Sequence, residues 1–567
     1  MKLNLKEVPF STRGSYMTFS YLEGKFQGRE MEKGLYFRNV HGSAKSSFLA
    51  RVTPVWQGAP LEYTYEADGG EVLILTSKGQ AGIAFADKDT IVIQGNVALE
   101  LDFVTEDTAF SFAQPWKAGS RDFWMVNCFD GNARYMLRAQ QGNLKIEQKW
   151  NVSTADYCRI YLESGQEEYL VTIEENFEDW ADTKRTFDYK KTVEKSAREF
   201  EEFYQSMPTV PEEYKEGARV AAYVDWASIV APCGALKRES MFMSKNWMCN
   251  VWSWDHCFNA MALAYNNPKE AWDQFMVMFD FQKPSGNIPD SVNDSKIVHN
   301  YCKPPIHGWA LRKLMHIMEV SHSQLEEAYD KLSRWTNWWL NCRDENNDGL
   351  CEYTHGNDSG WDNATAFSQL PPTTLPDLAA FLVLQMDVLS EAAEELGYEA
   401  DSRMWKKRAD EMLENMLKTL FEDGLPKALT GLNMEKVESD SLILYLPIVL
   451  GDRLPEEVRG KMLEVLKGEK FNTQHGLATE SPQSKYYESD GYWRGPIWAP
   501  STMIILDGMM ECGEKEFVQE ATHKFCRMVQ NSGCAENYDA ITGEGLRDRA
   551  YTWTASVMLV MAHEYLD

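Results

Sequence analysis

The sequence predicts a multidomain β + α fold, an N-terminal β-sandwich followed by a helical α/α toroid. Short runs of alternating apolar residues recur up to about residue 173, and Gly, Asp and Asn turns separate them. After Pro211 the apolar residues recur with helical periodicity. That part is long enough for about twelve helices at roughly 30 residues for each helix and its loop, a number that fits a closed toroid.

The N-terminal pattern is typical of a sandwich of many short strands. Residues 72–76 and 90–94 are two of its alternating runs, and we assign the β-sandwich domain to residues 1–183. Residues 184–210 are highly charged with sparse apolar positions, which predicts a linker helix between two domains. The barrel domain is assigned to residues 211–567, where loops rich in Gly, Pro, Trp and Asp separate long amphipathic segments.

The composition limits the classes of partner. The chain carries 86 acidic and 57 basic residues and a net charge of -29, so its surface repels phosphates and anionic lipids. We therefore expect a small-molecule substrate, with neither nucleic acid nor membrane as a partner. The sequence has no window of about 20 apolar residues, so no membrane-spanning segment is predicted. Eleven Cys without regular spacing, and no apolar leader, predict a cytoplasmic protein. The oligomeric state is not predicted.

The stretch from 357 to 363 places two acids around an aromatic ring. Asp358 and Asp362 lie four residues apart, Gly360 loosens the backbone and Trp361 offers a broad apolar face. In such a turn the aromatic ring can stack on a sugar while a carboxyl group acts as the proton donor. The alternative is a polar turn whose Asp side chains accept hydrogen bonds from backbone amides.

A second aromatic loop precedes this one in the chain. Trp252 and Trp254 lead directly to Asp255 and His256. The indoles could form a buried core layer, but an acid directly after two Trp is better explained by a sugar-binding pocket. We interpret Gln282 as part of a second wall of that pocket. These five residues are therefore candidate substrate contacts.

Two further loops near the C-terminus combine aromatic and charged residues. Tyr492, Trp493, Arg494 and Trp498 lie within seven residues. Arg494 could donate to sugar hydroxyls or bind a carboxylate, and a buried structural arginine is the alternative. Glu536 follows in a loop of four acids, beside an Asn and a Tyr that could control its pKa and orientation. The four residues around Arg494 are candidate substrate contacts.

The segment from 344 to 355 resembles part of a calcium loop. Asp344, Asn346 and Asp348, followed by Gly349, match positions 1, 3, 5 and 6 of an EF-hand loop. Position 12 is His355, where a bidentate Glu is expected. The segment is therefore either a calcium site completed by a distant acid or a tight Asx turn.

The sequence contains no Walker loop, dinucleotide fingerprint or recognisable Ser-His-Asp arrangement, so acids on aromatic loops carry the chemistry. Four blocks in order resemble glycoside hydrolase family 63: 252–256, 360–363, 492–498, and 536–538 with 545–548. The resemblance implies an inverting enzyme on an (α/α)6 barrel, often preceded by a β-sandwich. It also implies that Asp362 is the general acid, that Glu536 is the general base and that some larger members bind calcium.

The predicted activity is therefore hydrolysis of an α-glycosidic bond with inversion, without a cofactor in the reaction. An α-glucoside is the first choice because the family is mostly glucosidic, an analogy that leaves the sugar and linkage open. A disaccharide phosphorylase is one alternative, and it would need a phosphate pocket in place of the base. A non-catalytic carbohydrate-binding protein is the other, and it would need the Trp residues but not the paired acids.

Overall fold

A computed structural model describes residues 1–26, 29–42, 48–103, 110–116, 123–129, 133–163, 168–176 and 185–566. This chain divides into two compact units. The first comprises Met1–Gln205, Ala222–Asn250 and Asn293–Lys296, and the second comprises Ser206–Ala221, Val251–Val292 and Ile297–Asp567. The predicted limit between residues 183 and 184 lies outside the described residues, and the three predicted domain ranges stay predictions.

The first unit contains two antiparallel sheets. The strands of one run in the order Met17–Phe26, Arg29–Asn39, Phe48–Trp56, Ala98–Phe103, Thr154–Glu163 and Asn143–Asn151, with Ala59–Pro60 paired to the third. The strands of the other run in the order Phe112–Pro115, Phe123–Cys128, Ala133–Gln141, Tyr169–Asn176, Thr90–Gly95, Gly79–Asp87, Val72–Thr76 and Tyr63–Ala67.

Aromatic side chains join the inner faces of these two sheets. Phe19 and Phe37 lie on the first sheet, and their rings meet Phe85 and Tyr135 of the second at centroid distances of 6.4 and 5.3 Å. All four side chains are buried. Edge-to-face pairs of this kind fill the space between facing sheets. The predicted β-sandwich is therefore confirmed.

The helices of the described residues are, in chain order, α1 (Tyr189–Ser206), α2 (Lys215–Ser228), α3 (Asp255–Ala264), α4 (Pro268–Met276), α5 (His307–Ile317), α6 (His322–Cys342), α7 (Pro376–Glu395), α8 (Glu399–Thr419), α9 (Glu456–Lys467), α10 (Ala499–Glu511), α11 (Lys515–Ser532) and α12 (Thr552–Leu566). A 3₁₀ segment covers Leu442–Arg453. Helix α1 lies within the predicted linker range and packs Phe200 against Tyr223 and Trp226 of the first unit.

Six elements of the second unit close into a ring. Around the ring each contacts the next, in the order α3, α5, α7, the 442–453 segment, α10 and α12, and α12 contacts α3 again. A second layer of helices packs outside this ring, with α4 on α3, α6 and α8 on α7, α9 on the 442–453 segment, and α11 on α10 and α12. This arrangement is the predicted α/α toroid.

The apolar pattern explains which helices are inner and which are outer. Helix α3 is buried on all sides, and α7 is buried over most of its length, as expected for elements enclosed by other helices. Helix α8 instead buries only a stripe of five residues: Trp405, Ala409, Met412, Leu413 and Met416. Its charged face remains at the surface. None of the helices described is both long and apolar enough to cross a membrane.

Small two- and three-stranded sheets complete the described structure. They pair Ile229–Val230 with Ser240–Met241; Val251–Trp252 with Ser291–Val292 and then Ile297–Val298; Thr373–Thr374 with Ala428–Thr430 and then Glu435–Val437; Phe421–Glu422 with Leu425–Pro426; and Asn537–Tyr538 with Gly545–Leu546. Several of these sheets fix loops that lead into the ring helices.

Candidate active site

The predicted site residues lie in segments that precede the ring helices. Asp255 is the first residue of α3, the 357–363 turn precedes α7, and residues 492–498 lead directly into α10. Glu536 lies in the loop before α12. The N-terminal ends of these helices carry partial positive charge, which favours carboxylates beside them. Of these acids Asp255 lies at a helix N-terminus, whereas Asp362 and Glu536 lie in the loops that lead to α7 and α12.

Three of these acids converge on the phenol of Tyr492. Burial raises the pKa of Tyr492 well above its usual range, and the negative charges of Asp362, Glu536 and Asp255 raise it further, whereas Arg547 lowers it. The charges of carboxyl groups from three separate loops therefore act on one phenol.

The backbone around Asp362 is held by tight packing. Gly360 has φ +75, and a Cβ atom on it would lie 2.5 Å from the indole of Trp254. The Asn363 side chain donates to the Gly491 carbonyl at 3.0 Å and accepts from the Trp493 backbone N–H at 2.9 Å. The turn that carries Asp362 is thus tied to the loop that carries Tyr492.

Opposing influences act on the carboxyl group of Asp362. Burial raises its pKa, and the charge of Asp290 raises it further. Lys303 is the largest lowering influence, followed by His355 and by a hydrogen bond from the hydroxyl of Tyr492. The balance leaves the pKa above the ordinary value for an aspartate. A raised pKa is what a carboxyl group needs if it is to hold a proton near neutral pH.

Glu536 also has a raised proton affinity. Its side chain is only 4% exposed, and burial together with the charge of Asp548 raises its pKa to about 8, with a smaller rise from Asp362 and a lowering by Arg547. The negative charge of Asp362 therefore opposes ionisation of Glu536. The two carboxyl groups therefore titrate as a coupled pair with two apparent pKa values.

Asp255 adds a third acid with a free oxygen. Burial raises its pKa to about 8, helped by Asp290 and Asp362 and opposed by Lys303. Its Oδ2 atom is buried and forms no hydrogen bond with any residue in the described ranges. A buried carboxyl oxygen without a partner is costly. It is therefore an acceptor to which a ligand hydroxyl could donate.

The Trp residues form a packed layer behind Tyr492. Trp493 stacks on Trp498 with ring centroids 4.0 Å apart and contacts Trp361 at 4.6 Å and Trp254 at 6.2 Å. The Trp498 Nε1–H donates to the Tyr492 carbonyl at 2.9 Å. The four rings are at most 2% exposed, so the predicted stacking on sugar has no exposed ring face to use in this structure. The layer supports the loops instead.

Asp358 lies in the core of its turn and has no accessible surface. Its Oδ2 atom accepts hydrogen bonds from the N–H and hydroxyl of Thr354 at 2.9 and 2.6 Å and pairs with Arg343 at 3.2 Å. Its Oδ1 atom accepts from the backbone N–H of Cys302 at 3.2 Å. These contacts match the alternative interpretation of the turn, in which an Asp holds backbone amides. A direct sugar contact is excluded by this burial.

Two other predicted contacts face the backbone. His256 is fully buried, and its Nδ1 atom lies 3.0 Å from the Trp252 carbonyl. The Gln282 amide donates to the carbonyls of Gly286 and Lys331, both at 2.9 Å. Trp252 itself is half-buried, so its ring keeps some accessible surface. Of these three residues, Trp252 and Gln282 keep some accessible surface and His256 has none.

Arg494 is partly exposed and pairs with an acid of its own loop. Its Nη2 atom lies 2.9 Å from the Glu488 carboxylate, and its carbonyl accepts from the Glu488 backbone N–H at 2.9 Å. These contacts close the turn that leads to Tyr492. The structure thus gives Arg494 a carboxylate partner within the protein, one of the two roles that the sequence left open.

Several charged residues of the site were not among the predicted site residues. Lys303 forms a salt bridge with Asp290 at 2.8 Å. Arg547 has a positive φ, lies 4.9 Å above the ring of Tyr492 and pairs with Asp490 at 2.8 Å. The sequence offers weak signals only, since Lys303 precedes two prolines and Arg547 stands in the loop of four acids that contains Glu536.

The predicted calcium loop folds as a set of Asx turns. Asp344 accepts from the backbone N–H groups of Asp348 and Gly349, both at 3.0 Å, and Asn346 accepts from that of Asp348 at 3.0 Å. His355, at the twelfth position, accepts from the Asn357 N–H and is engaged there. The loop therefore does not complete an EF-hand ligand set, and calcium binding stays a prediction.

A second group of potential metal ligands lies at the start of α3. His256, Cys257 and His307 are buried and have ligand atoms within 4.8 Å of one another, and no other such group of three occurs in the described ranges. Burial lowers the pKa of His256 to about 4 and lowers that of His307 well below its usual range, which favours the neutral form of both rings. We assign this group no role in the chemistry below.

Comparison with known proteins identifies the helical region. Residues 248–554 match the family model described as the mannosylglycerate hydrolase MGH1-like glycoside hydrolase domain. The match covers more than half of the chain and contains all the candidate site residues. It begins just before the first ring helix and ends in the last one.

Similar sequences include two enzymes of related name. A glucosylglycerate hydrolase from Mycolicibacterium hassiacum is 22% identical over 55% of this chain and 91% of its own length. The mannosylglycerate hydrolase MGH2 from Selaginella moellendorffii is 22% identical over 54% of this chain and 79% of its own length.

Solved structures share the fold. The GH63 mannosylglycerate hydrolase from Thermus thermophilus, in complex with glucose, superposes with a TM-score of 0.52 at 18% identity, covering 61% of this chain and 98% of that one. A bacterial glucoamylase complexed with acarbose superposes with a TM-score of 0.63 at 11% identity, covering 100% and 94%. The chain belongs to the MGH1-like glycoside hydrolase domain family, which confirms the resemblance to glycoside hydrolase family 63.

Proposed function

We propose that this protein hydrolyses an α-glycosidic bond with inversion at the anomeric carbon, with Asp362 as general acid and Glu536 as general base. The observation that carries the proposal is that the loop of Tyr492 is hydrogen-bonded to the Asp362 turn through Asn363 and to the Glu536 loop through the backbone of Ile497 and Tyr538. Glycoside hydrolysis needs two carboxyl groups on opposite sides of the scissile bond. Family membership supports the reaction class.

The general acid acts on the leaving group. Protonated Asp362 donates its proton to the glycosidic oxygen as the bond from that oxygen to the anomeric carbon breaks. Burial and the charge of Asp290 favour the protonated form of Asp362. Lys303 and Tyr492 act in the opposite direction and stabilise the carboxylate that remains after the transfer. The same surroundings therefore serve both protonation states.

The general base acts on water. Ionised Glu536 takes a proton from the water that attacks the opposite face of the anomeric carbon. Arg547 favours its ionised form. The reactive form of the pair holds one proton, on Asp362, and the pH dependence is that of the pair.

The substrate we propose is a small α-glycoside. The names of the relatives put glucosylglycerate and mannosylglycerate first among the compounds to test, and an α-glucoside of an oligosaccharide is the other choice. The unpaired Oδ2 atom of Asp255 would accept a sugar hydroxyl. The partly accessible ring of Trp252 would contact the same sugar.

No cofactor takes part in this proposal, because acid, base and water account for the bond changes. We expect activity to survive dialysis against EDTA. If the 344–348 loop holds a calcium ion, its removal by EDTA should lower Tm. An EDTA-sensitive kcat that divalent cations restore would contradict the proposal.

The assigned roles are tested with two substrates that differ in leaving group. An α-glycosyl fluoride needs no proton to leave, so Asp362→Asn should keep most of its activity on the fluoride and lose about 10²–10⁴-fold on an O-glycoside. Glu536→Gln should lose activity on both. Asp507→Asn is the matched control, because Asp507 lies near the C-terminal end of α10, away from the site loops.

The opposite pattern, with Glu536→Gln active on the fluoride, would exchange the two roles. Full activity of either variant on the O-glycoside would overturn the assignment. The same assays with and without inorganic phosphate separate a hydrolase from a phosphorylase, since only the latter requires phosphate. Binding of sugar without turnover by the unmodified protein would indicate a carbohydrate-binding protein.

A further inference from the structure

Lys303 is a buried cation with three acceptors in the second unit. It is 4% exposed and lies in the segment just before α5. Its Nζ atom pairs with Asp290 at 2.8 Å and donates to the Asn357 carbonyl at 2.8 Å and to the Asn357 side-chain oxygen. The two hydrogen bonds of the ammonium group both go to Asn357, and Asp290 is held by the ion pair.

The partners of Lys303 belong to segments that carry two of the acids. Asn357 lies in the one-turn 3₁₀ helix Gly356–Ser359, which leads to Asp362. The carbonyl of Asp290 accepts from the backbone N–H of Ser253 at 3.0 Å, two residues before Asp255. A single ammonium group therefore bridges the Asp362 turn and the strand beside Asp255.

We propose that Lys303 is a positioning residue for the reaction, which fixes the Asp362 turn against the Asp290 segment and supplies the cation beside the proton donor. This inference rests on the proposed function, since it assumes that Asp362 is the donor. It adds a residue with no acid–base step of its own. Its effect is exerted through the place and charge of Asp362.

The charges around Asp362 support this role. Lys303 is the largest influence that lowers the pKa of Asp362, and it lowers that of Asp255 as well. The titratable groups that face Asp362 are, besides Lys303, Asp290, His355, Tyr492, Asp255 and Glu536. Lys303 lowers the pKa of Asp362, so its replacement by a neutral residue should raise that pKa.

The sign follows from the loss of a positive charge. The first ionisation of the coupled pair sets the acid limb of the kcat/KM profile. Without the Lys303 charge the carboxylate form of Asp362 is less stable, so the acid limb should move to higher pH by about one unit. The untethered turn also misplaces the donor, so kcat/KM at the optimum should fall about 10–100-fold.

The test compares Lys303→Met with Lys303→Arg and with Lys313→Met. Lys303→Met removes the charge and keeps the length, whereas Lys303→Arg should restore the position of the acid limb. Lys313 is a matched control, because it is also buried and pairs with two acids, Asp507 and Glu564, away from the site loops. Lys313→Met should lower Tm without moving the pH profile.

An acid limb that stays in place in Lys303→Met, or that moves equally in Lys313→Met, would overturn the inference. If Lys303→Met does not fold by circular dichroism, Asp290→Asn serves instead. It removes a charge that raises the pKa of Asp362, so the acid limb should move to lower pH, and an unchanged limb would count against the inference. Parallel assays of Asp362→Asn separate this failure from failure of the proposed function.

Discussion

Replacing Gly360 with alanine tests how tightly the donor turn is packed. The residue has φ +75, and the added Cβ would lie 2.5 Å from the Trp254 indole. The left-handed backbone costs about 1–2 kcal/mol for an L-residue, and overpacking a filled core adds about 1–3 kcal/mol. We therefore expect Gly360→Ala to lower the free energy of unfolding by about 2–5 kcal/mol.

Gly397→Ala separates the two contributions. Gly397 also has a positive φ, +78, but nothing lies within 4 Å of its added Cβ. It should lose only the backbone cost, about 1–2 kcal/mol. Urea denaturation followed by tryptophan fluorescence measures both variants. Because only Gly360 is packed against a neighbouring side chain, Gly360→Ala should be the less stable of the two.

The same substitution should reduce activity, because Asp362 follows Gly360 by two residues. A shift of about 1 Å in a catalytic group can cost on the order of 10²-fold in rate. We expect such a loss in kcat for Gly360→Ala and none for Gly397→Ala. Equal stability of the two variants, with full activity in both, would refute the packing described around the turn.

Two further predictions concern charge. Asp358→Asn should destabilise the protein by about 1–3 kcal/mol, because its buried carboxylate accepts hydrogen bonds from Cys302 and Thr354 and pairs with Arg343. The control is Asp452→Asn, since Asp452 is an exposed ion-pair partner. A change in Tm as small as that of the control would contradict the prediction. The kcat/KM profile should be bell-shaped, with its alkaline limb near pH 8, because ionisation of Glu536 completes the deprotonation of the pair; a limb below pH 6 would contradict this.

The fold could be predicted because the apolar period is a local property. Residues 72–76 alternate as a strand does, and α7 is rich in apolar residues, as expected for a helix that is buried over most of its length. The ring order depends on which helices touch, and helical periodicity does not contain that information. The predicted toroid therefore followed from the pattern and loop composition, whereas its closure from α12 to α3 is a finding of the structure.

The site could be predicted only in part. Asp362 and Glu536 stand in recognisable blocks, but Trp361 and Trp493 give the same sequence pattern whether they stack on sugar or on each other. The structure places them together at 4.6 Å. Lys303 could not be recognised, because its partners Asp290 and Asn357 are distant in sequence and a single lysine has no pattern.

Asp358 and Asp362 show a related limit. Four residues apart on one turn, they are indistinguishable by type, yet Asp358 is fully buried and satisfied whereas Asp362 keeps some accessible surface. The direction of each side chain decides this, and the sequence does not contain it. Recognition of the family separated their roles where the residues alone did not.

The stereochemistry of the first product tests the central proposal most directly. Proton NMR of the unmodified protein acting on an α-glycoside should show the β-anomer of the sugar first, with the α-anomer growing only by mutarotation. Such a result is expected if the carboxyl groups of Asp362 and Glu536 lie roughly 6.5–9.5 Å apart, which leaves room for the sugar and the attacking water. If the α-anomer forms first, the enzyme retains configuration and the proposed mechanism is wrong.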